Sequence, residues 1–380
     1  MKVVVAPDSF KGSLAATEVC RLVAQAFAEV APEVQLLSVP MADGGEGTLD
    51  CLVTATAGRL RSLTVADATG KPTKTVYGVL GRGETAVIEV ARMIGLTSLP
   101  SPASGILNRG TLGVGQAVKA ALDAGHRHIV LSLGGSSTND GGMGMLAALG
   151  VGFYDADGNL LPPVANSLMR LQHIDTQLLD GRLKASRLTV AGDVTNPLCG
   201  PAGSSVVFAP QKGATAGEVE VMDEALGNYA DSVEAALGGD WRNCPGAGAA
   251  GGLGFAALAL GGEIVSGAGL VADLAHLPEK LQNADFVITG EGRTDAQTLR
   301  GKVPFVVAQL ARDHGAKTLL LSGSVDSALA EDDLFAALFA KSYSLVSSVT
   351  TVEEAMAAAP QLLLRVAAEI AQELDAAARF

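Results

Sequence analysis

The feature that most constrains the fold is an apolar strand pattern that runs into a glycine-rich polar loop and then into a helix. Residues 129–133 (Ile-Val-Leu-Ser-Leu) read as a strand, and residues 134–144 carry glycines mixed with Ser, Thr, Asn and Asp. In α/β proteins such a loop binds anions, because glycines admit a ligand close to the backbone and the following helix N-terminus favours negative charge. A helix cap with a long turn is the structural alternative, although the loop has more polar groups than one cap needs.

Length and charge limit the classes of protein. A chain of 380 residues exceeds one ordinary core, so two domains are expected. The net charge of −13 argues against nucleic acid and anionic membranes as partners, while a few local cations with Mg²⁺ could still hold a small phosphorylated ligand. Neither a signal peptide nor an apolar run long enough to span a membrane is evident, so we expect a soluble cytoplasmic protein. The four cysteines lie far apart, which disfavours zinc and disulfides.

Two strand patterns near the N-terminus end in charged loops. Residues 2–6 form a buried-strand pattern that delivers Asp8, Ser9 and Lys11 to its carboxyl end, where open α/β sheets place ligands. The next strand, over 34–40, ends in a loop that contains Asp43 and Glu46. The first loop could also be a solvated turn. The two acids of the second could bind a metal, orient a substrate hydroxyl or charge the first turn of a helix.

Two later loops have the same character. The strand pattern at 189–191 leads to Asp193 and Asn196, a carboxylate and an amide that suit a general base or an Mg²⁺ ligand, with an Asx-turn as the structural alternative. A short strand is predicted over 206–209, closed by Gln-Lys-Gly at 211–213. The pattern at 285–289 leads into a loop with the densest charge in the chain, which resembles a phosphate and Mg²⁺ site but could be a solvated surface loop. Its candidate residues are Glu291, Arg293, Asp295 and Lys302.

The segment Gly246–Gly251 matches the G-x-G-x-x-G pattern of dinucleotide-binding proteins. That fingerprint requires an apolar strand directly before it, and the residues Trp-Arg-Asn-Cys-Pro at 241–245 do not form one. We therefore interpret these glycines as allowing the following helix to pack closely, and keep an NAD-dependent oxidoreductase only as a minor alternative.

The order of these patterns predicts an α/β fold. Residues 61–89 alternate in the manner of an antiparallel or mixed sheet, whereas both ends of the chain read as βα units. We expect a parallel-sheet α/β domain, formed by residues 1–80 and 285–380, that is interrupted by a mixed-sheet α/β domain over 81–284. The ligand is expected in the cleft between the two domains.

Five of these segments resemble motifs of the bacterial class I glycerate kinases. They are Pro7–Leu14, Met41–Thr48, Gly134–Gly144, Gly192–Pro201 and Thr289–Thr298, and together they extend over essentially the whole chain. The resemblance implies a flavodoxin-like or Rossmann-like domain that is interrupted by a second α/β domain. It also implies transfer of the γ-phosphoryl group of ATP to D-glycerate, with 2-phosphoglycerate as the product. No G-x-x-x-x-G-K-[ST] motif occurs, so the chain is not a P-loop kinase.

Residue chemistry and motif position then suggest roles. The base toward the glycerate hydroxyl is assigned to Asp193, although Asp43 could exchange roles with it, and Lys11 and Arg293 are expected to neutralise phosphate or the substrate carboxylate. Glycerate is expected to contact Asp8, Ser9, Asp43, Glu46 and Asn196. Phosphate or ATP is expected to contact Gly134, Gly135, Ser136, Ser137, Asn139 and Lys302. Mg²⁺ is expected at Glu291 and Asp295.

Several alternatives remain open from the sequence. The product could be 3-phosphoglycerate, or the acceptor another small hydroxy acid, because pocket shape decides such differences. A non-catalytic protein that binds an acidic ligand is disfavoured, since binding alone does not need carboxylates at several strand ends. We expect D-glycerate and ATP as the binding partners and allow for a homodimer.

Overall fold

The computed structural model describes residues 1–99, 105–346 and 351–378. Its strands are, in chain order, β1 (Lys2–Val5), β2 (Gln35–Ser38), β3 (Arg59–Ala66), β4 (Pro72–Val79), β5 (Thr85–Glu89), β6 (His128–Ser132), β7 (Gly152–Tyr154), β8 (His173–Asp175), β9 (Arg187–Ala191), β10 (Glu263–Val265), β11 (Phe286–Thr289), β12 (Arg293–Thr294), β13 (Lys317–Ser322), β14 (Ser324–Val325) and β15 (Lys341–Ser344). Its helices are α1 (Ala16–Val30), α2 (Thr48–Ala55), α3 (Ala91–Ile94), α4 (Leu112–Asp123), α5 (Met143–Ala148), α6 (Ser204–Phe208), α7 (Ala216–Leu237), α8 (Ala249–Ala259), α9 (Gly267–Leu274), α10 (Leu277–Leu281), α11 (Val303–Asp313), α12 (Asp333–Leu338), α13 (Val352–Ala357) and α14 (Ala359–Ala378).

A five-stranded parallel sheet lies at the centre of the first of two compact units. Its strand order is β15-β13-β11-β1-β2, and every neighbouring pair is parallel. The apolar run of β1 is completely buried, as expected for a strand covered on both faces. One face packs against α1 and α14, whose buried side chains include Phe27 and Ile370. The predicted parallel-sheet α/β fold is therefore confirmed.

The second unit is built on a six-stranded sheet in the order β10-β9-β6-β5-β4-β3. The strands β3, β4 and β5 pair antiparallel, and the strands β5, β6, β9 and β10 pair in parallel. This confirms the mixed sheet that the alternating pattern predicts. The core of the unit includes the buried side chains of Ile88, Leu131 and Val190, one from each of three adjacent strands.

The boundaries of the units differ from those predicted. The first unit comprises Met1–Asp43, Asp50–Ala57 and Ala268–Phe380, and the second comprises Gly44–Leu49 and Gly58–Gly267. A boundary after residue 80 would cut the six-stranded sheet, because Gly78 on β4 pairs with Val87 on β5. The strands before residue 80 therefore belong to the second unit.

The strand predicted over 206–209 is wrong, because these residues are part of α6 and the turn that follows it. The first turn of this helix is anchored by Asn139, whose side chain exchanges hydrogen bonds of 2.9 Å with the hydroxyl groups of Ser204 and Ser205. The neighbouring Val206 and Val207 are 41% and 44% exposed, so both lie on the outer side of a helix instead of alternating as in a strand.

Within the ranges that the structure describes, no helix is long and apolar enough to cross a membrane.

Candidate functional site

A cavity of about 650 Å³ opens in the first unit, lined by residues that follow β1, β2, β11, β13 and β15. Ligand sites at the carboxyl ends of parallel strands are the rule for open α/β sheets. Eight residues predicted from the sequence line this cavity, which are Asp8, Ser9, Lys11, Asp43, Glu291, Arg293, Asp295 and Lys302. The structure therefore brings together the predicted residues of three separate loops.

Asp8 is the most perturbed carboxyl group of this cavity. It is 5% exposed, its backbone N–H donates to the Gly290 carbonyl (2.8 Å), and its Oδ1 accepts from the Ser9 backbone N–H (2.7 Å). Burial, and secondly the negative charge of Asp43, raise the pKa of Asp8 to about 7. A carboxyl group with a pKa near neutrality can accept or release a proton at physiological pH, as a general base requires.

Lys11 supplies an accessible cation beside this carboxyl group. Its Nζ lies 3.1 Å from Asp43 Oδ2, and 76% of its side chain is exposed. The charge of Asp43 is the main cause that raises the pKa of Lys11, so the ammonium stays protonated near neutral pH. Because the pair is open to solvent, the Lys11 ammonium can turn toward an incoming phosphate or carboxylate without much loss of stability.

The loop after β11 contributes Glu291, whose carboxylate is 6% exposed and has two partners. Thr298 Oγ1 donates to Glu291 Oε1 at 2.5 Å, and Lys302 Nζ lies 3.6 Å from Glu291 Oε2. Burial raises the pKa of Glu291. In the same loop Arg293 Nε lies 3.8 Å from Asp295 Oδ2, and the Arg293 side chain is 71% exposed. This loop therefore presents one buried carboxylate, one partly buried carboxylate and two cations to the cavity.

Glu291 and Asp295 are candidate ligands for Mg²⁺, and two carboxylates are enough if phosphate oxygens and water complete the coordination. Among the described residues no three His, Cys, Asp or Glu side chains are grouped so that they could hold a metal ion by themselves. Mg²⁺ is commonly bound by one or two carboxylates together with phosphate oxygens and water, so Glu291 and Asp295 suit an ion that arrives with a nucleotide.

In the second unit the loop after β6 is packed into the protein. Ser137 and Asn139 are 0% exposed; Ser137 Oγ donates to the Ile94 carbonyl (2.8 Å), and the Asn139 amide is engaged by α6. The backbone N–H of Gly134 donates to the Gly44 carbonyl (3.3 Å), and the Gly135 carbonyl accepts from the Leu96 N–H (2.9 Å). The side chains of Ser137 and Asn139 therefore bond to neighbouring protein groups and hold the loop in place.

A buried lysine that sequence reasoning passed over supports this loop. Lys212 is 3% exposed, and its Nζ donates to the Thr138 carbonyl (2.8 Å) and to Ser136 Oγ (3.3 Å). Arg109, also buried, donates from its NH1 to the carbonyls of Ser137 and Lys212 (both 3.0 Å). Burial lowers the pKa of Lys212 to about 7. Because Ser136 Oγ accepts from Lys212, its own proton is available to donate to another group.

Asp140, which is next to Asn139 in the predicted loop, is a further buried charged residue that supports this loop. Asp140 is completely buried and accepts hydrogen bonds from the Thr111 N–H and hydroxyl (both 2.8 Å) and from the Gly144 N–H (3.1 Å). Burial raises its pKa. The carboxylate thus ties the start of α4 to the start of α5.

Asp193 and Asn196 lie in the loop after β9 of the second unit. Asp193 is exposed, and its Oδ1 accepts from the Gly267 N–H (2.9 Å). Asn196 Nδ2 donates to the Ala202 carbonyl (2.8 Å), which holds the loop in shape. Glu46 is exposed in the segment Gly44–Leu49 of the same unit. The structure brings none of these three into the cavity of the first unit.

The stretch from Gly246 to Gly252 packs closely, as interpreted from the sequence. Gly251 has φ +74°, and a Cβ there would lie 2.0 Å from the Thr138 carbonyl oxygen. The Gly141 N–H donates to the Gly251 carbonyl (2.9 Å), and the Gly248 N–H donates to the Asn196 carbonyl (2.9 Å). The stretch therefore connects the loop after β6 to the loop after β9, and it does not follow a strand as a dinucleotide fingerprint would.

Comparison with known proteins identifies the family. The family model described as the glycerate kinase family matches residues 3–375. A glycerate kinase of Bacillus subtilis (strain 168) is 41% identical over 99% of this chain and 98% of its own length. A glycerate 2-kinase of Escherichia coli (strain K12) is 40% identical over 98% of both chains. A crystal structure from Salmonella typhimurium LT2, assigned as a glycerate kinase 2, is 40% identical and superposes with a TM-score of 0.89 over 100% of both chains. The chain belongs to the glycerate kinase family.

Proposed function

We propose that this glycerate kinase transfers the γ-phosphoryl group of ATP to the C2 hydroxyl of D-glycerate and releases 2-phospho-D-glycerate and ADP. In this reaction the bond between the γ-phosphorus and the β-γ bridging oxygen breaks, a bond from phosphorus to the C2 oxygen forms, and a carboxylate takes the hydroxyl proton. The choice of C2 is supported by the relative of Escherichia coli, which is named a glycerate 2-kinase.

The observation that carries the chemistry is the set of charges in the cavity of the first unit. Phosphoryl transfer needs cations around the phosphate and a carboxylate near the attacking hydroxyl. The cavity offers Lys11, Arg293 and Lys302 as cations, together with the buried carboxyl groups of Asp8 and Glu291. A protein that only bound an acidic ligand would not need buried carboxyl groups beside its cations, since they repel such a ligand.

Asp8 joins Asp193 as a candidate for the base. Asp193 is the choice made from the sequence, with Asp43 as its alternative, while Asp8 has the pKa near 7 that suits proton transfer at neutral pH. We propose that Asp8, Ser9 and Asp43 orient or deprotonate glycerate. In the second unit, we propose that Asp193, Asn196 and Glu46 contact glycerate. Single substitutions of these residues test that contribution.

Phosphate contacts are proposed for Lys302 in the first unit and for Gly134, Gly135 and Ser136 in the second. Ser136 is 7% exposed. Its hydroxyl accepts a hydrogen bond from Lys212 and can still donate its own proton to a phosphate oxygen. The proposal assigns Ser137 and Asn139 to the support of this loop, because their side chains bond to the protein interior.

Mg²⁺ is proposed to enter with ATP, with Glu291 and Asp295 as its protein ligands. When bound, it would neutralise charge on the β- and γ-phosphates. Lys302 Nζ lies 3.6 Å from the Glu291 carboxylate. We therefore propose that Glu291 would contact both Lys302 and the ion. The proposed setting is the cytoplasm, where ATP is available.

The experiment that tests the product uses enolase as the reporter. Enolase converts 2-phosphoglycerate to phosphoenolpyruvate and does not act on 3-phosphoglycerate. The protein is incubated with ATP, Mg²⁺ and D-glycerate in the presence of enolase, with and without phosphoglycerate mutase. Phosphoenolpyruvate formed without mutase supports phosphorylation at C2, whereas a signal that requires mutase would move the reaction to C3.

The acceptor and the base are tested by a second assay, which measures ADP release. Other small hydroxy acids, such as L-glycerate, lactate and tartronate, replace D-glycerate while ADP release is measured. A higher kcat/KM for one of them would replace D-glycerate as the proposed substrate. Among the candidate bases, the one whose Asp→Asn variant loses kcat with KM preserved is the base, and we expect a loss of about 10²-fold to 10⁴-fold.

A further inference from the structure

The cavity of the first unit has a wall that the chemistry of glycerate does not use. Its apolar side chains come from β14, the segment after β15, α13 and the start of α14, and they are Val325, Leu345, Val346, Val352, Ala355, Met356 and Ala359. Two large members of this wall face open space, since Val352 is 59% exposed and Met356 is 43% exposed. Exposed apolar side chains that share one cavity wall indicate a surface that a ligand covers.

Size and polarity distinguish the two substrates. Glycerate has three carbons, and each carries a hydroxyl or carboxylate oxygen, so it offers no apolar face to such a wall. ATP has a flat aromatic base at one end and a triphosphate at the other. The cavity offers both kinds of surface, because its lining includes the apolar wall and the cations Lys11, Arg293 and Lys302. Its volume of about 650 Å³ is within the range of sites for ligands of nucleotide size.

The apolar wall is already formed by local structure. Thr351 and Glu354 form a reciprocal cap at the start of α13, with Thr351 Oγ1 accepting from the Glu354 N–H (3.2 Å) and Glu354 Oε2 accepting from the Thr351 N–H (2.9 Å). Met356 reaches the loop after β1, because a Cβ built on Gly12 would lie 2.9 Å from Met356 Cε. Met356 is thus next to the loop that carries Lys11, and the apolar wall adjoins the charged part of the cavity.

We propose that Val352 and Met356 form the centre of a subsite for the adenine nucleoside of ATP, and that the triphosphate extends from it toward Lys11 and Lys302. This inference rests on the proposed function for the identity of the nucleotide. It places the adenine nucleoside in the first unit, and it makes α13 the element that determines affinity for the nucleoside.

The test compares Met356→Ala and Val352→Ser with Leu334→Ala. Leu334 is a matched control, since it is 43% exposed like Met356 but lies on α12 and does not line the cavity. Equilibrium titration with ATP and Mg²⁺ in the absence of glycerate gives the affinity without requiring turnover. We expect each cavity variant to weaken ATP by about 10-fold, which corresponds to about 1.4 kcal/mol, and the control to leave it unchanged.

Two inhibitors separate the nucleoside from the phosphates. Adenosine should compete with ATP and lose affinity in Met356→Ala, whereas inorganic tripolyphosphate should bind both proteins equally. The inference is overturned if adenosine binding is unaffected by both cavity substitutions, or if these substitutions raise KM for D-glycerate while ATP affinity is unchanged. Either result in a protein that still phosphorylates glycerate leaves the proposed function intact. Weakened ATP and adenosine binding in a protein that does not phosphorylate glycerate would support the subsite and refute the acceptor.

Discussion

Replacing Asp8 with Asn should stabilise the protein above neutral pH while it removes activity. Asn keeps an Oδ1 that can accept from the Ser9 N–H, so the hydrogen bond of 2.7 Å has a replacement. What the substitution removes is the cost of ionising a buried carboxyl group beside Asp43 and Glu291. The prediction therefore separates stability from function at one residue.

The magnitude follows from the pKa of Asp8. The difference between 3.8 in the unfolded chain and about 7 in the folded protein corresponds to about 4 kcal/mol at 1.36 kcal/mol per pKa unit. Because the folded pKa is the higher one, the folded state binds more protons between these values, and the wild-type protein loses stability as the pH rises from about 4 to about 7. Relative to wild type, Asp8→Asn should gain little at about pH 4 and up to about 4 kcal/mol at about pH 8.

The assay is denaturant-induced unfolding of both proteins at several pH values in a buffer without nucleotide. Asp313→Asn is the control, because Asp313 is an exposed carboxylate at the end of α11 in the same unit. Its difference from wild type should stay small, because an exposed side chain contributes little to stability. A difference between Asp8→Asn and wild type that does not change from about pH 4 to about pH 8 would refute the reasoning, as would a variant that is less stable at about pH 8.

Three further predictions concern the second unit. Burial lowers the pKa of Lys212 from 10.5 in the unfolded chain to about 7 in the folded protein. The wild type should therefore gain stability relative to Lys212→Met as the pH rises from about 7 to about 10. A difference in the free energy of unfolding that stays constant across this range would contradict the prediction. Gly251→Ala should destabilise by about 2 kcal/mol or more in denaturant unfolding, because the new Cβ meets the Thr138 carbonyl oxygen. Gly261→Ala, with φ +81° and open space around the new Cβ, should show only the backbone cost, and equal losses would remove the packing argument. Asp193→Asn should keep the wild-type unfolding midpoint, since Asn can still accept from Gly267, but lose about 10²-fold or more in kcat if Asp193 is the base; full activity would exclude that role.

Much of the first unit could be predicted because its signals are local. The run Val3–Val5 is apolar and β-branched, which indicates a strand buried on both faces, and the structure buries it completely. The carboxyl ends of parallel strands share one edge of a sheet, so the loops that carry Asp8 and Glu291 could be expected to meet. The structure places both in one cavity.

What the sequence did not indicate depends on tertiary contacts. The residues Val206 and Val207 favour a strand by intrinsic preference. However, Asn139 accepts a hydrogen bond from Ser204 and donates one to Ser205, which fixes a helix there. That error hid Lys212, which looked like the end of a strand and is in fact a buried cation under the loop after β6.

Side-chain direction and strand pairing were also beyond the sequence. The residue types of Ser137 and Asn139 suit a phosphate loop, yet whether such a side chain faces a ligand or the interior depends on its neighbours, and here both face inward. The boundary after residue 80 failed because β4 pairs with β5, and pairing between strands is not evident from either strand alone. The apolar wall around Met356 was missed because the fold brings it to the cavity from the far end of the chain.

The central claim, phosphorylation of D-glycerate at C2 by ATP, is tested most directly by the ³¹P–¹H correlation spectrum of the product. The protein is incubated with ATP, Mg²⁺ and D-glycerate, and the phosphoester signal is correlated with the protons of the glycerate carbons. The account predicts a correlation from phosphorus to the single proton on C2. A correlation to the two protons on C3 would contradict the proposed product, and ATP hydrolysis without any phosphoester would contradict glycerate as the acceptor.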